Sequence, residues 1–283
     1  MVRSYVSGVM GWASVLAAAC VFALASQGAA PEKAGMDANL QKRFGELRTK
    51  NWKPAFSDSG AGDWRQHWFL DGERAAVTNT EAGMVFAAGP VAGDDASHAV
   101  LWTRQSFRGD VMVEWDFTRL DTINRYVNII YIQATGIGTP PYTRDIAEWS
   151  SLRQTPFMKS YFNYMNLLHI SYAAFGNDDD LPDDYVRARR YPTLPGRPFS
   201  KTDIAPDNFN TGLFLPGENY HFTFIKTDAD LFFVVRDGHG KARLFHWPLS
   251  GVEPLVEGRI GIRHMATRCS RYRDIRIATR DVR

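Results

Sequence analysis

Glu114 and Asp116 lie two apart in Glu114-Trp-Asp116-Phe-Thr-Arg119, so an extended backbone presents both carboxylates on one face. A retaining glycosidase needs two carboxyl groups flanking the scissile bond, commonly as Glu-x-Asp-x-x-Glu. Here the last acid position is Arg119, which removes most of the support for that mechanism. The pair is then either suited to sugar hydroxyls or simply solvated on an exposed face. A second polar set comprises Tyr131 and Gln133, two apart, Asn163 and His169, six apart, and Arg263 near the C-terminus. These types match elimination from a uronic acid. His169 is the candidate base for the C5 proton and Tyr131 its acid/base partner, while Gln, Asn and Arg stabilise charge on the carboxylate. The plainer alternatives are a core histidine bonded to backbone and a tyrosine that only builds a strand.

Other groups carry weaker signals. The run Asp178-Asp179-Asp180-Leu-Pro-Asp-Asp184 offers hard oxygen ligands for a structural Ca²⁺ near Asp178, Asp179 and Asp180. It lacks the spacing of a calcium loop and otherwise reads as a solvated loop. Arg187, Arg189 and Arg190 follow it, and either pair with those aspartates or face an acidic polysaccharide. Cys269 lies between Arg268 and Arg271, which would lower a thiol pKa, but a lone Cys more often is an incidental buried residue. No Gly-x-Ser-x-Gly elbow, phosphate-binding loop or dinucleotide motif is present.

These residues sit in short β-branched and aromatic runs separated by Gly, Asp and Pro. Examples are Gly109–Thr118, Tyr126–Gln133, Tyr164–Tyr172, Asn219–Lys226, Leu231–Arg236, Gly258–Arg263 and Tyr272–Ala278. The spacing predicts an all-β sandwich or barrel rather than alternating strands and helices. Val111, Val113, Trp115 and Phe117 fall on one face, whereas Tyr126–Gln133 is apolar on both and reads as a central strand. Two irregular stretches, 135–160 and 176–216, interrupt the pattern, and long loops of this kind are often functional.

With 33 Lys+Arg against 31 Asp+Glu, the 283-residue chain gives no electrostatic reason to bind nucleic acid. Its two Cys cannot form a disulfide framework or a four-thiolate metal site. Residues 1–25 combine Arg3, an apolar run from Val9 and Ala23-Leu-Ala25, the marks of a secretory signal peptide, with an uncleaved membrane anchor as the alternative because the run approaches spanning length. Cleavage there would leave Cys269 as the single thiol of a periplasmic or extracellular protein, with no further membrane span. Residues 26–51 follow as a short helix or tether, with Met36, Leu40, Phe44 and Leu47 at helical spacing, and residues 52–283 form the β domain.

Gly109-Asp-Val-Met-Val-Glu-Trp-Asp-Phe117, Asn128-Ile-Ile-Tyr-Ile-Gln133 and His169-Ile-Ser-Tyr172, with Gly258-Arg-Ile-Gly-Ile-Arg-His264 and Tyr272-Arg-Asp-Ile-Arg-Ile277, resemble the concanavalin-A-like jelly-roll proteins. Among these they look most like the YesU-like bacterial family of uncharacterised carbohydrate-utilisation proteins. The resemblance implies two antiparallel sheets, a face suited to a sugar chain, and a polysaccharide or oligosaccharide partner. It supplies no reaction, because this fold carries lectins, hydrolases and lyases alike. Two classes follow: a secreted enzyme of glycan breakdown, with lyase favoured over two-carboxylate hydrolase, or a non-catalytic glycan-binding module.

Overall fold

A computed structural model describes residues 31–177 and 183–281, with side chains from residue 38 onward. The signal-like segment 1–25 and Asp178, Asp179 and Asp180 lie outside the described residues. By its contacts the chain divides into residues 1–39 and 40–283. A helix, α1 (Pro31–Arg48), occupies the described part of the first unit and runs into the second. Within the second unit Phe44 meets Phe232 with ring centroids 5.7 Å apart, and Arg43 bonds Asp230 at 2.5 Å.

The second unit holds two antiparallel sheets of eight strands each. In sheet I the order is Ala242–Pro248, Asp230–Asp237, Asn219–Lys226, Asp110–Arg119, Cys269–Arg280, Gly83–Ala87 and Ala76–Thr80; Lys53–Asp58 also pairs with the Cys269 strand. In sheet II the order is Asp203–Phe209, Tyr185–Tyr191, Met165–Ala173, Asn128–Gly136, Glu257–His264, Ala99–Thr103 and Trp68–Asp71; Phe107–Arg108 also pairs with the Glu257 strand.

Alternation decides what lies between the sheets. Val111, Val113, Trp115 and Phe117 of sheet I and Ile130, Ile132, Leu168, Ile170 and Ile262 of sheet II belong to one buried core. Asn128–Gly136 is buried along its whole length, as expected of a central strand covered on both faces. Its cover is a second apolar cluster on the far side of sheet II, where Trp102, Tyr131, Leu167 and Tyr191 meet Ile146, Trp149 and Tyr161. The covering residues come from segment 137–164, which carries a short turn of helix (Ser150–Arg153) and α2 (Met158–Tyr164).

The stretch 176–216 is not a loop throughout: Tyr185–Tyr191 and Asp203–Phe209 are strands of sheet II. Charge hid them. Val186 and Ala188 face the core between the sheets, while Arg187 and Arg189 alternate onto the outer face and pair with Asp207 and Asp203 of the next strand.

Candidate functional site

The outer face of sheet II carries a row of side chains unusual for a buried sheet. In register across six strands lie Trp102, Gly261, Tyr131, His169, Arg189 and Asp203. An apolar roof would need only apolar partners, yet this row is polar and aromatic. The roof is pinned at one end by Asp71, whose carboxylate bonds Arg153 Nε at 2.7 Å, Trp102 Nε1 at 2.8 Å and the Tyr161 hydroxyl at 3.1 Å. Arg153 in turn donates to the carbonyls of Trp149 and Ile146.

Tyr131, His169, Tyr191 and Arg263 lie at the middle of this face. The His169 ring is 5.7 Å from that of Tyr131 and 5.2 Å from that of Tyr191. All four residues are buried, yet both His169 nitrogens, both tyrosine hydroxyls and Arg263 Nη1 lack a hydrogen-bond partner. Buried polar atoms are nearly always paired, so five such atoms in one cluster make it a candidate site. Burial, with Arg189 and Arg263 nearby, holds the His169 imidazole neutral, well below its ordinary pKa. Burial pushes the Tyr131 hydroxyl up to about 12 against the opposing pull of Arg263. At neutral pH His169 is thus an unprotonated imidazole and Tyr131 a protonated phenol.

Tyr191 also walls an open pocket of about 360 Å³, bounded by Thr193, Arg197, Lys201, Asp203 and Glu253. That volume lies within the range of small-ligand sites. Tyr191 thus adjoins both the pocket and His169.

The remaining sequence candidates lie elsewhere. Gln133 does not share the face of Tyr131. A bulge between Ile132 and Thr135, with Gln133 at φ +53°, turns its amide to the carbonyls of Phe107 and Gly109 at 3.1 and 2.9 Å. Asn163 belongs to α2, since the strand starts only at Met165, so the six-residue spacing to His169 does not align them; it accepts instead from Thr193 Oγ1 at 2.6 Å. Glu114 and Asp116 lie on the outer face of sheet I around His221, whose Nδ1 is 2.8 Å from Asp116 and whose Nε2 is 3.7 Å from Glu114. Arg273 and Arg48 complete this charge network at 3.0 Å from Asp116 and 3.2 Å from Glu114. An open groove of about 300 Å³ adjoins Asp116, Asn219, His221 and Arg273.

Two expectations about charge change. Arg187, Arg189 and Arg190 have ion-pair partners in Asp207, Asp203 and Glu253, while residues 178–182 of the acidic run lie outside the described residues. Burial and Asp121 raise the Cys269 thiol pKa, so its arginine neighbours do not activate it. Tyr191, Asp71, Arg153 and Tyr161 escaped sequence reasoning. Only Tyr191 left a trace, in the alternation of Tyr185, Arg187, Arg189 and Tyr191.

No protein-family profile and no curated protein matches the sequence. Solved structures do match. A protein of unknown function with a galectin-like fold from Bacillus subtilis is 19% identical, with TM-score 0.57 over 82% of this chain and 98% of that one. The exoplasmic/lumenal domain of VIP36, in a Ca²⁺/Man3GlcNAc-bound form, is 12% identical, with TM-score 0.55 over 82% and 92%. The seed lectin of Lotus tetragonolobus is 12% identical, with TM-score 0.51 over 78% and 96%. At such identities the likeness is one of fold, and the fold is the lectin-type jelly roll of two antiparallel sheets that the sequence resemblance implied.

Proposed function

We propose that the protein is a secreted, YesU-like glycan-binding protein that takes a saccharide on the outer face of sheet II, through the pocket walled by Tyr191. The observation that carries this reading is the group of buried, unpartnered polar atoms on Tyr131, His169, Tyr191 and Arg263 beside that pocket. Sugar hydroxyls supply the donors and acceptors these atoms lack. The fold neighbours support it, one of them having been solved with a mannose oligosaccharide. The signal-like residues 1–25 support an extracytoplasmic setting.

A second reading is β-elimination, favoured by the protonation states of the same pair. Neutral His169 would take the C5 proton of a uronic-acid residue. That electron pair would form the C4–C5 double bond, the C4–O bond would break, and the leaving oxygen would take the Tyr131 proton.

One assay separates the readings. The mature protein, Ser26–Arg283, is run through affinity gels containing neutral and uronic polysaccharides, with reducing ends and ultraviolet absorbance followed on the same substrates. Retardation without new absorbance or new reducing ends establishes binding alone. New absorbance that His169→Ala abolishes and Tyr131→Phe lowers about 10²-fold or more, both variants still folded, establishes elimination. Reducing ends without absorbance would point to hydrolysis by another carboxylate pair. A protein that no polysaccharide retards and that turns none over would overturn both readings.

A further inference from the structure

Among the described residues five arginines are buried, and four have a carboxylate within ion-pair reach. Arg153 meets Asp71 at 2.7 Å, Arg189 meets Asp203 at 2.6 Å, and Arg119 and Arg268 share Asp121 at 3.1 and 2.7 Å. Arg263, 0% exposed, has none among the described residues. Its Nη2 donates to the Pro156 carbonyl at 2.8 Å and lies 3.2 Å from His98 Nδ1, and its Nε meets Met265 Sδ at 3.4 Å. The guanidinium carbon lies 4.5 Å from the Tyr161 ring centroid. These contacts orient the group without neutralising it. A buried cation without a counter-ion is strongly disfavoured, so its persistence in a fully enclosed cluster calls for a functional account. The Tyr131 hydroxyl lies beside Arg263, and this hydroxyl, Arg263 Nη1, the Tyr191 hydroxyl and the His169 nitrogens all lack a partner at hydrogen-bond geometry.

We propose that Arg263 is the receptor for the carboxylate of a uronic-acid residue, with the Tyr131 and Tyr191 hydroxyls as further donors. The inference rests on the saccharide reading above and narrows it to acidic glycans, whether or not they are turned over. A carboxylate is the complement of this donor set: a planar anion with two oxygens, against a guanidinium and two hydroxyls. The approach has the same sign. Arg197 and Lys201 line the outer pocket and form no ion pair among the described residues, whereas Asp203 and Glu253 there are already paired with Arg189 and Arg190. An acidic sugar drawn to that mouth meets Tyr191, whose ring lies 5.2 Å from that of His169.

The test compares matched ligands on the mature protein. Oligomers of polygalacturonate, alginate and glucuronoxylan are titrated calorimetrically beside the same oligomers after reduction of their carboxyl groups to alcohols, with sodium acetate as a third arm. At least one acidic oligomer should bind tenfold or more tightly than its reduced form and than acetate. Arg263→Met should erase that preference while folding as well as wild type without ligand, because it removes an unpaired buried charge. Equal binding of acidic and reduced oligomers would overturn the carboxylate assignment and leave the saccharide reading standing. Acetate binding as tightly as the oligomer would overturn the link to saccharide. A preference retained in folded Arg263→Met would move the receptor elsewhere. Should Arg263→Met fail to fold, the matched pairs on wild type still decide. Silence from every oligomer, in a protein that neutral polysaccharides retard, would overturn the inference alone; silence throughout would remove both.

Discussion

Trp102 and Tyr131 stack with ring centroids 5.4 Å apart and planes 13° from parallel, although their strands are not adjacent in the sheet. The strand between them places Gly261 opposite both. An absent side chain therefore lets indole and phenol meet, and Tyr161 extends the stack from above at 5.8 Å from Tyr131. Asp71 fixes the indole through its N–H. The position of the Tyr131 hydroxyl thus depends on a glycine and a carboxylate that never touch it.

Gly261→Ala should show that dependence. A Cβ at this position would lie inside the van der Waals envelope of the buried Trp102 ring. Overpacking of this kind costs about 1–3 kcal/mol. The expected result is a lower urea midpoint with an unchanged slope, together with weakened polysaccharide retention as the ring stack shifts. A wild-type midpoint and wild-type retention would mean that Trp102 yields freely and that the stack does not position Tyr131.

Asp71 is the pin of the roof, so Asp71→Ala should cost more. It leaves the fully buried Arg153 unpaired and takes the acceptor from Trp102 and Tyr161, a loss of about 3–5 kcal/mol for breaking a buried pair from one side. Replacing both partners, as Asp71→Leu with Arg153→Met, should cost less than Asp71→Ala alone, because no lone charge remains. Urea unfolding gives the energies, and protease cleavage within 137–164 shows whether the roof loosens. A double variant no better than Asp71→Ala would mean that Asp71 acts mainly through Trp102 and Tyr161.

The sheets were legible because strand alternation in Asp110–Arg119 and Asn128–Gly136 reports burial directly. His169, Tyr131 and Arg263 could be picked out by residue type, and their convergence follows from register between strands far apart in sequence. What the sequence hid was hidden for physical reasons. The Gln133 bulge depends on Gly258 packing against the Gln133 backbone, a contact between residues remote in sequence. Asn163 was misaligned because α2 ends only at Tyr164, and no capping residue announces that helix. Asp71 and Arg153 are 82 residues apart and carry no local motif, so their pairing emerges only when 137–164 folds back over the sheet.

Acid sensitivity should report the protonation state on which the site depends. His98, His169 and His264 are buried. Desolvation, reinforced by neighbouring arginines, lowers His98 to about 4, His264 to about 3 and His169 well below its ordinary value. Unfolded histidines take up protons near pH 6.5, so as pH falls below that value the unfolded chain binds protons the folded one refuses. The stability from keeping these rings neutral is complete above pH 6.5 and drains away on acidification, each contributing a slope of about 1.4 kcal/mol per pH unit until its folded pKa is reached. His221 runs the other way. Glu114 first, then Asp116, raise its pKa, so its contribution is present below pH 6.5 and fades above it, weakly because the side chain is partly exposed. Urea unfolding between pH 5.0 and 6.5 should therefore show a steep loss, and His169→Gln should lower that slope by about one third. An unchanged slope would mean that His169 accepts a proton in the folded protein, and a protonated ring beside Arg263 could not serve as a base at these pH values.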